Sequence, residues 1–357
     1  MKAAVLHAPR TPQQMEQVDL AEPRAGEVQV RIRYAGVCRS DHHVISGALA
    51  YPMPIVLGHE GAGVVDRVGP GVTRLKAGDH VAFNFTPFCG YCQECNAGRS
   101  NLCLHREELR GSPRLSQGGQ QVHNFLGVSC FAEYTVVHES GAIKVPEDMP
   151  LDRVALVSCG VATGVGAVLN TAQVRPGQSV AVVGAGGVGL NVIQGARLAG
   201  ASTIIAVDTL AHKLDLALEF GATHAVDAER ENAIKRVRQI ANGGVDYAFE
   251  AVGLPATIEQ IWRMIRPGGT AVVVGVPPEK SAVTLPALNF LHERSIRGSF
   301  FGSTRPAVDI PRYLDLYRQG QLRLDELITR HYPLAEVNEA YQALERGEVA
   351  RSVIDVA

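Results

Sequence analysis

The chain has 357 residues, 46% of them hydrophobic, which is too long for one typical domain and apolar enough for sizeable cores; two domains, or one interrupted by another, are expected. A formal charge of −2 without basic blocks argues against nucleic acid and anionic membrane as partners. The N-terminal MKAAVLHAPR has no long apolar core, and no run of about 18 uncharged apolar residues stands out, so a cytosolic protein is expected. In that compartment seven cysteines suit metal binding or thiol chemistry better than a disulfide framework.

Residues 1 to 160 alternate short apolar runs with Gly and Pro: Ala3 to Leu6, Val28 to Tyr34, Gly61 to Val68, His80 to Phe83 and Ala132 to Val137. This rhythm predicts a compact antiparallel β domain with loops at its rim. From about residue 175 onward strand and helix alternate. A buried parallel strand is expected over Val180 to Val183, a helix over Leu210 to Phe220, a strand over Val245 to Glu250, a helix over Thr257 to Ile265 and a strand over Thr270 to Gly275. That is the pattern of an α/β, doubly wound domain. Two further helical stretches, Ile310 to Arg318 and Leu334 to Arg346, and a strand from Arg351 to Val356 are left to return to the first domain.

The strand at Val180 runs into Gly184, Gly186 and Gly189, with Gly187 and Val188 between them. In a G-x-G-x-x-G turn the first glycine allows the bend, the second admits a pyrophosphate to the backbone, and the third lets helix pack on strand. A second apolar run, Thr203 to Val207, ends in Asp208 about twenty residues further on, where a carboxylate takes the ribose hydroxyls and repels a 2′-phosphate. Dinucleotide binding is expected, with NAD preferred over NADP.

Cys89, Cys92, Cys95 and Cys103 have the spacing C-x2-C-x2-C-x7-C. Four thiolates on one loop suit a closed tetrahedral zinc site, with an iron–sulfur cluster the weaker alternative. Cys38, His59 and Cys159 stand apart from that loop, and each alone reads as a core residue. Together they form a Cys2His set that leaves zinc an open fourth position.

With these motifs the chain resembles the zinc-dependent medium-chain alcohol dehydrogenases over its whole length, to the closing GEVARSVI. The resemblance implies a GroES-like catalytic domain, residues 1–160 and 301–357, carrying a structural-zinc loop at 89–103. It implies a Rossmann NAD-binding domain over 161–300, a cleft between the two, and two zinc ions per chain. Cys38, His59 and Cys159 would hold catalytic zinc, Glu60 could approach it, and Asp41 would orient His59. Arg39 and Arg351 would contact the pyrophosphate, Lys213 the adenosine ribose, and Thr163 and Val188 the nicotinamide. Ser40 and His43 would carry the alcohol proton to solvent, with His42 an exposed base able to stand in. Leu49 and Phe85 would line a pocket open to benzylic, allylic or straight-chain alcohols. A homodimer or homotetramer, paired through the strand near Ser295 to Phe300, is implied as well.

One alternative is a thiol–formaldehyde adduct as substrate. Glutathione is disfavoured, because Glu107 stands where the glutathione-dependent branch has Arg, Arg106 is one place off, and Leu49 and Ala50 are apolar; a mycothiol-like adduct stays open. A zinc-free quinone reductase or non-catalytic NAD-binding relative would lack the ligands this chain keeps. The remaining histidines are expected to be structural or solvated, and Cys130 a buried core thiol.

Overall fold

The computed structural model describes residues 1–356 and divides the chain into two compact units, Met1–Cys159 with the chain from Arg305 onward, and Gly160–Thr304.

The first unit is built on the ten-residue strand Glu27–Gly36, whose Val28, Val30 and Ile32 are fully buried. Each such side chain contributes about 1.5–3 kcal/mol relative to exposure. Glu60–Val68 pairs along one edge of this strand; on the other edge Tyr134–His138 pairs with its beginning and Arg351–Asp355 with its end. Two register pairs bear on function: Gly36 lies opposite both Glu60 and Val353. The sheet thereby gathers residues from three distant parts of the chain at the end of one strand. Most pairings are antiparallel, as expected, but Ile328–Pro333 with Arg351–Asp355 and Ile55–Val56 with Gln120–Asn124 are parallel. The first departure follows from chain path. Helix Val337–Glu345 lies between the two strands, and a helical crossover returns the chain in its starting direction.

The second unit is an all-parallel six-stranded sheet in the order His224–Asp227, Thr203–Asp208, Ser179–Val183, Val245–Glu250, Ile265–Val273, Ser295–Gly298. This is the doubly wound order, with its switch point between Ser179–Val183 and Val245–Glu250. Ala181, Ile205, Ala248 and Trp262 are fully buried in its core. The helix expected to end at Ile265 covers Pro255–Met264, because Ile265 already starts the next strand and Pro267 disfavours helix before it.

One helical run is unusually apolar. Leu151–Ala172, 22 residues long with mean hydropathy 1.6 over its most apolar 18, is the one helix among the described residues long and apolar enough to cross a membrane. Ser158, Thr163, Asn170 and Thr171 interrupt the run in sequence, which is why it does not stand out. In the fold 89% of its most apolar window is buried inside the protein, as in a core helix. It is not uniformly α-helical, since Val157–Val161 and Ala167–Ala172 are π-helical turns.

Candidate metal centre and dinucleotide loop

Cys38 follows strand Glu27–Gly36 by two residues and stands in extended conformation ahead of helix Arg39–Ile45. His59 immediately precedes strand Glu60–Val68. Cys159 sits in the π-helical turn Val157–Val161, the kind of bulge that helices often carry at functional sites. One ligand atom from each of Cys38, His59, Glu60 and Cys159 lies within 4.8 Å of all the others, and all four residues are buried. His59 Nε2 is 3.3 Å from Cys159 Sγ. Its Nδ1 lies 3.0 Å from Asp41 Oδ2; the two atoms have no other partner and meet without the alignment of a full hydrogen bond, as a close ion-pair contact. Asp41 is held by the Gly58 N–H, which donates to Oδ1 at 2.8 Å. Nε2 is thus turned toward the cysteines with a carboxylate behind the ring, the usual arrangement of a metal-ligating histidine.

The electrostatics suit a cation. The Cys38 thiol is driven well below its ordinary range, chiefly by a hydrogen bond with Cys159 and against burial, with His59 and Arg351 adding positive charge. For His59 burial opposes the charged ring, but Asp41 and Cys38 prevail and carry it up to about 10. Glu60 Oε2 accepts from Arg351 Nη2, whereas Oε1 is buried without a partner. A thiolate, a buried imidazole and an orphaned carboxylate oxygen form a donor set that fits zinc.

Several residues in this centre carry no signal in the sequence. A Cβ on Gly36 would come within 2.3 Å of Glu60 Oε2 and 3.1 Å of Arg351 Nη2, so only glycine leaves room for that pair. Cys130 is fully buried, as expected, but also donates its thiol to the Glu60 carbonyl at 3.0 Å, while Ser158 Oγ accepts from the Gly61 N–H at 3.0 Å. The two brace the ligand strand. Phe85 and Phe125 meet His59 edge-on at 5.4 and 5.6 Å and wall the site with aromatic surface. Phe85 was legible from the resemblance; Phe125 was not.

Ser40 and His43 lie three residues apart on helix Arg39–Ile45, both half-buried, and Arg39 is exposed. His43 is lowered from the ordinary imidazole value by burial first, then by His42 and Arg39. His42 departs from expectation. Its side chain is only 13% exposed, is bonded to Glu345 and stacks on Tyr341, so it is committed elsewhere. Arg351 is buried and paired with Glu60, and Leu49 is half-buried with its N–H on the His43 carbonyl at 2.9 Å. His7, His105 and His331, expected to be structural or solvated, pair with Glu16, Glu108 and Asp355.

The second cluster is local. Cys89 Sγ lies 4.0 Å from Cys95 Sγ, and Cys92 Sγ 4.0 Å from Cys103 Sγ, with all four sulfurs within 4.8 Å. That is far beyond a disulfide bond of about 2.05 Å. It is close to the edge of about 3.8 Å that a tetrahedron with Zn–S near 2.3 Å requires. Backbone N–H groups of Cys95 and Leu104 lower the Cys92 thiol, while burial raises Cys95 and Cys103; a bound cation would favour all four as thiolates.

In the second unit, Gly184 bends the chain at φ +95°, and a Cβ on Gly189 would fall 1.7 Å from the Gly184 carbonyl oxygen. A Cβ on Gly186 would meet nothing within 4 Å, leaving a cradle at the start of helix Gly187–Leu198. This fits a dinucleotide pyrophosphate. Asp208 closes the loop: Oδ2 accepts from the Ala185 N–H at 2.8 Å and Oδ1 from Thr209 and Leu210 at 2.8 and 3.1 Å. Thr163 is buried, and Val188 and Lys213 are half-buried.

Fold and donor sets together define a zinc-binding dehydrogenase built from a β-rich unit and a doubly wound unit. The alcohol dehydrogenase GroES-like domain profile matches residues 24–147, and the zinc-binding dehydrogenase profile residues 187–319. An NDMA-dependent alcohol dehydrogenase of Amycolatopsis methanolica is 43% identical, covering 99% of this chain and 98% of its own. Alcohol dehydrogenase 1 of Pisum sativum is 40% identical over 99% of this chain and 96% of its own. The crystal structure of benzyl alcohol dehydrogenase from Acinetobacter calcoaceticus superposes with a TM-score of 0.94 at 32% identity, covering 100% of this chain and 99% of the other. The chain belongs to the zinc-dependent medium-chain alcohol dehydrogenases and is an alcohol oxidoreductase.

Proposed function

We propose that the protein oxidises a primary alcohol, benzylic or allylic ones included, to the aldehyde with NAD, reversibly, using two zinc ions per chain. The observation that carries this reading is the convergence of Cys38, His59 and Cys159, with Asp41 behind the imidazole. When bound, zinc supplies a Lewis acid that acidifies the alcohol, and the nicotinamide is the hydride acceptor. Cys38, His59 and Cys159 hold the catalytic ion, and Cys89, Cys92, Cys95 and Cys103 a structural one. Ser40 takes the alcohol proton and His43 passes it on, helped by burial that keeps its ring neutral near pH 7. Phe85 and Phe125 give the site an aromatic wall and exclude water, which favours a flat apolar substituent on the reacting carbon. Arg39 serves the pyrophosphate. Arg351, bonded to Glu60, is the second pyrophosphate contact that the resemblance implies.

The preference for NAD rests on Asp208, whose carboxylate already faces the glycine loop through Ala185. A homo-oligomer is supported by strand Ser295–Gly298, an edge of its sheet, beside the exposed Leu288 and Leu291; a monomer by light scattering would count against it.

The test is a substrate panel on zinc-loaded protein: benzyl alcohol, cinnamyl alcohol, ethanol and S-hydroxymethyl mycothiol, each with NAD, with NADP and with NDMA. Benzyl or cinnamyl alcohol with NAD should give the highest kcat/KM. Exclusive turnover of the thiol adduct would replace the substrate assignment. Turnover with NDMA but not with added NAD would make the cofactor a fixed group instead of a co-substrate.

A further inference from the structure

On the face of the first unit's sheet opposite Val30 and Ile32 lies a cavity of about 400 Å3 that the alcohol chemistry does not use. Arg31, Arg33, Val64, Asp66, His80 and Leu151 line it. Sheet register explains why they meet. Arg31 is opposite Val64 and Val64 opposite His80, which sets three side chains in one row across neighbouring strands. Arg33 is the extra residue at a register shift between Ile32 and Tyr34, where a bulge re-aims the side chain.

The charge in this cavity is unspent. Arg67, Arg99, Arg114 and Arg153 each grip a carboxylate. Among the described residues, the guanidinium groups of Arg31 and Arg33 have no such partner. Asp66, the one lining carboxylate, is already compensated, accepting from Gln29 Nε2 at 2.8 Å and from Arg67 Nε at 3.3 Å. His80 closes part of the wall, its Nδ1 buried away from the hollow. Two free planar forks around one hollow call for a multiply charged oxyanion. The volume falls within the usual range of ligand pockets, about 300–1,000 Å3, and leaves room for an organic group beyond the anion.

We propose that this cavity binds a phosphate monoester of a small metabolite, with the phosphate held between Arg31 and Arg33. None of the lining residues belongs to either metal cluster, and the site does not depend on which alcohol is oxidised.

The experiment is calorimetric titration of the zinc-loaded protein, saturated with NAD so that the pyrophosphate loop is filled, at fixed ionic strength. The probes are glucose 6-phosphate, glycerol 3-phosphate, glucose, inorganic phosphate and acetate. A sugar phosphate should bind about tenfold more tightly than inorganic phosphate, and glucose not at all. The Arg31→Gln/Arg33→Gln variant should lose about tenfold or more of that affinity with alcohol turnover unchanged. Arg31→Lys, which keeps charge but loses the fork, should fall between the two. Equal affinity in the double variant, or sugar phosphates binding no better than inorganic phosphate or acetate, would overturn the proposal. If the double variant misfolds, the single variants and the probe ranking on the unaltered protein decide.

Discussion

Asp41 Oδ2 sits 3.0 Å from His59 Nδ1, with Asp41 fully buried and His59 1% exposed, so one carboxylate determines which imidazole nitrogen faces the cysteines. Asp41→Asn keeps the shape and removes the charge. Zinc affinity at the Cys38–His59–Cys159 site should fall about 10–100-fold, as measured by competition with a fluorescent chelator. Unchanged affinity would reduce Asp41 to an anchor for the Gly58 N–H.

A second prediction concerns protons. In the metal-free site His59 is raised to about 10, so the charged ring stabilises the apo fold fully below about pH 6.5 and ceases to do so as pH rises through about 10. Zinc takes the neutral ring, so loading at pH 7 must expel that proton, and affinity should climb with pH up to about 10. Calorimetry of zinc binding in buffers of different ionisation enthalpy reads the release. No proton released at pH 7 would mean that His59 is neutral before the metal arrives.

Metal analysis of dialysed protein should return two zinc ions per chain. Cys103→Ser should cost folding yield and lower Tm, because a four-cysteine loop that folds around an ion loses its anchor with one ligand. Cys159→Ala should fold, keep one zinc and lose turnover. A protein with one zinc that turns over normally would remove the structural site.

Asp208→Gly should lower the NAD:NADP ratio of kcat/KM by about tenfold or more, since the carboxylate that repels a 2′-phosphate is gone. It also frees the Ala185 N–H, so NAD affinity itself should weaken. An unaltered protein that uses NADP as well as NAD contradicts this role.

The proton relay has a pH signature. Because burial lowers His43 below the ordinary 6.5, the acid limb of turnover should lie under that value. His43→Gln should depress turnover most at low pH, with zinc content and NAD affinity nearly unchanged, and added imidazole should restore part of it. Ser40→Ala should cost more, roughly 100-fold, and resist rescue. His42, held by Glu345, offers no substitute base. A pH–rate profile unmoved by His43→Gln would send the proton by another route.

The legible features were local ones. The cysteines from Cys89 to Cys103 share one loop, and the glycine turn from Gly184 to Gly189 is followed about twenty residues on by Asp208, so spacing alone dictates what each can hold. The catalytic set was read through resemblance, because nothing within reach of Cys38 in sequence points to His59 or Cys159. Tertiary structure decided that part. The pairing of Gly36 with Glu60 and with Val353 draws strand ends from across the chain to one point, and such pairing follows from total burial over a whole sheet, not from local periodicity. The same holds for the π-helical turn that presents Cys159, for Cys130 and Ser158 bracing the ligand strand, and for the row of Arg31, Val64 and His80. The long helix Leu151–Ala172 stayed hidden for a related reason. Its apolar residues cover every face, so no amphipathic stripe marks it, and only the surrounding core shows where it belongs.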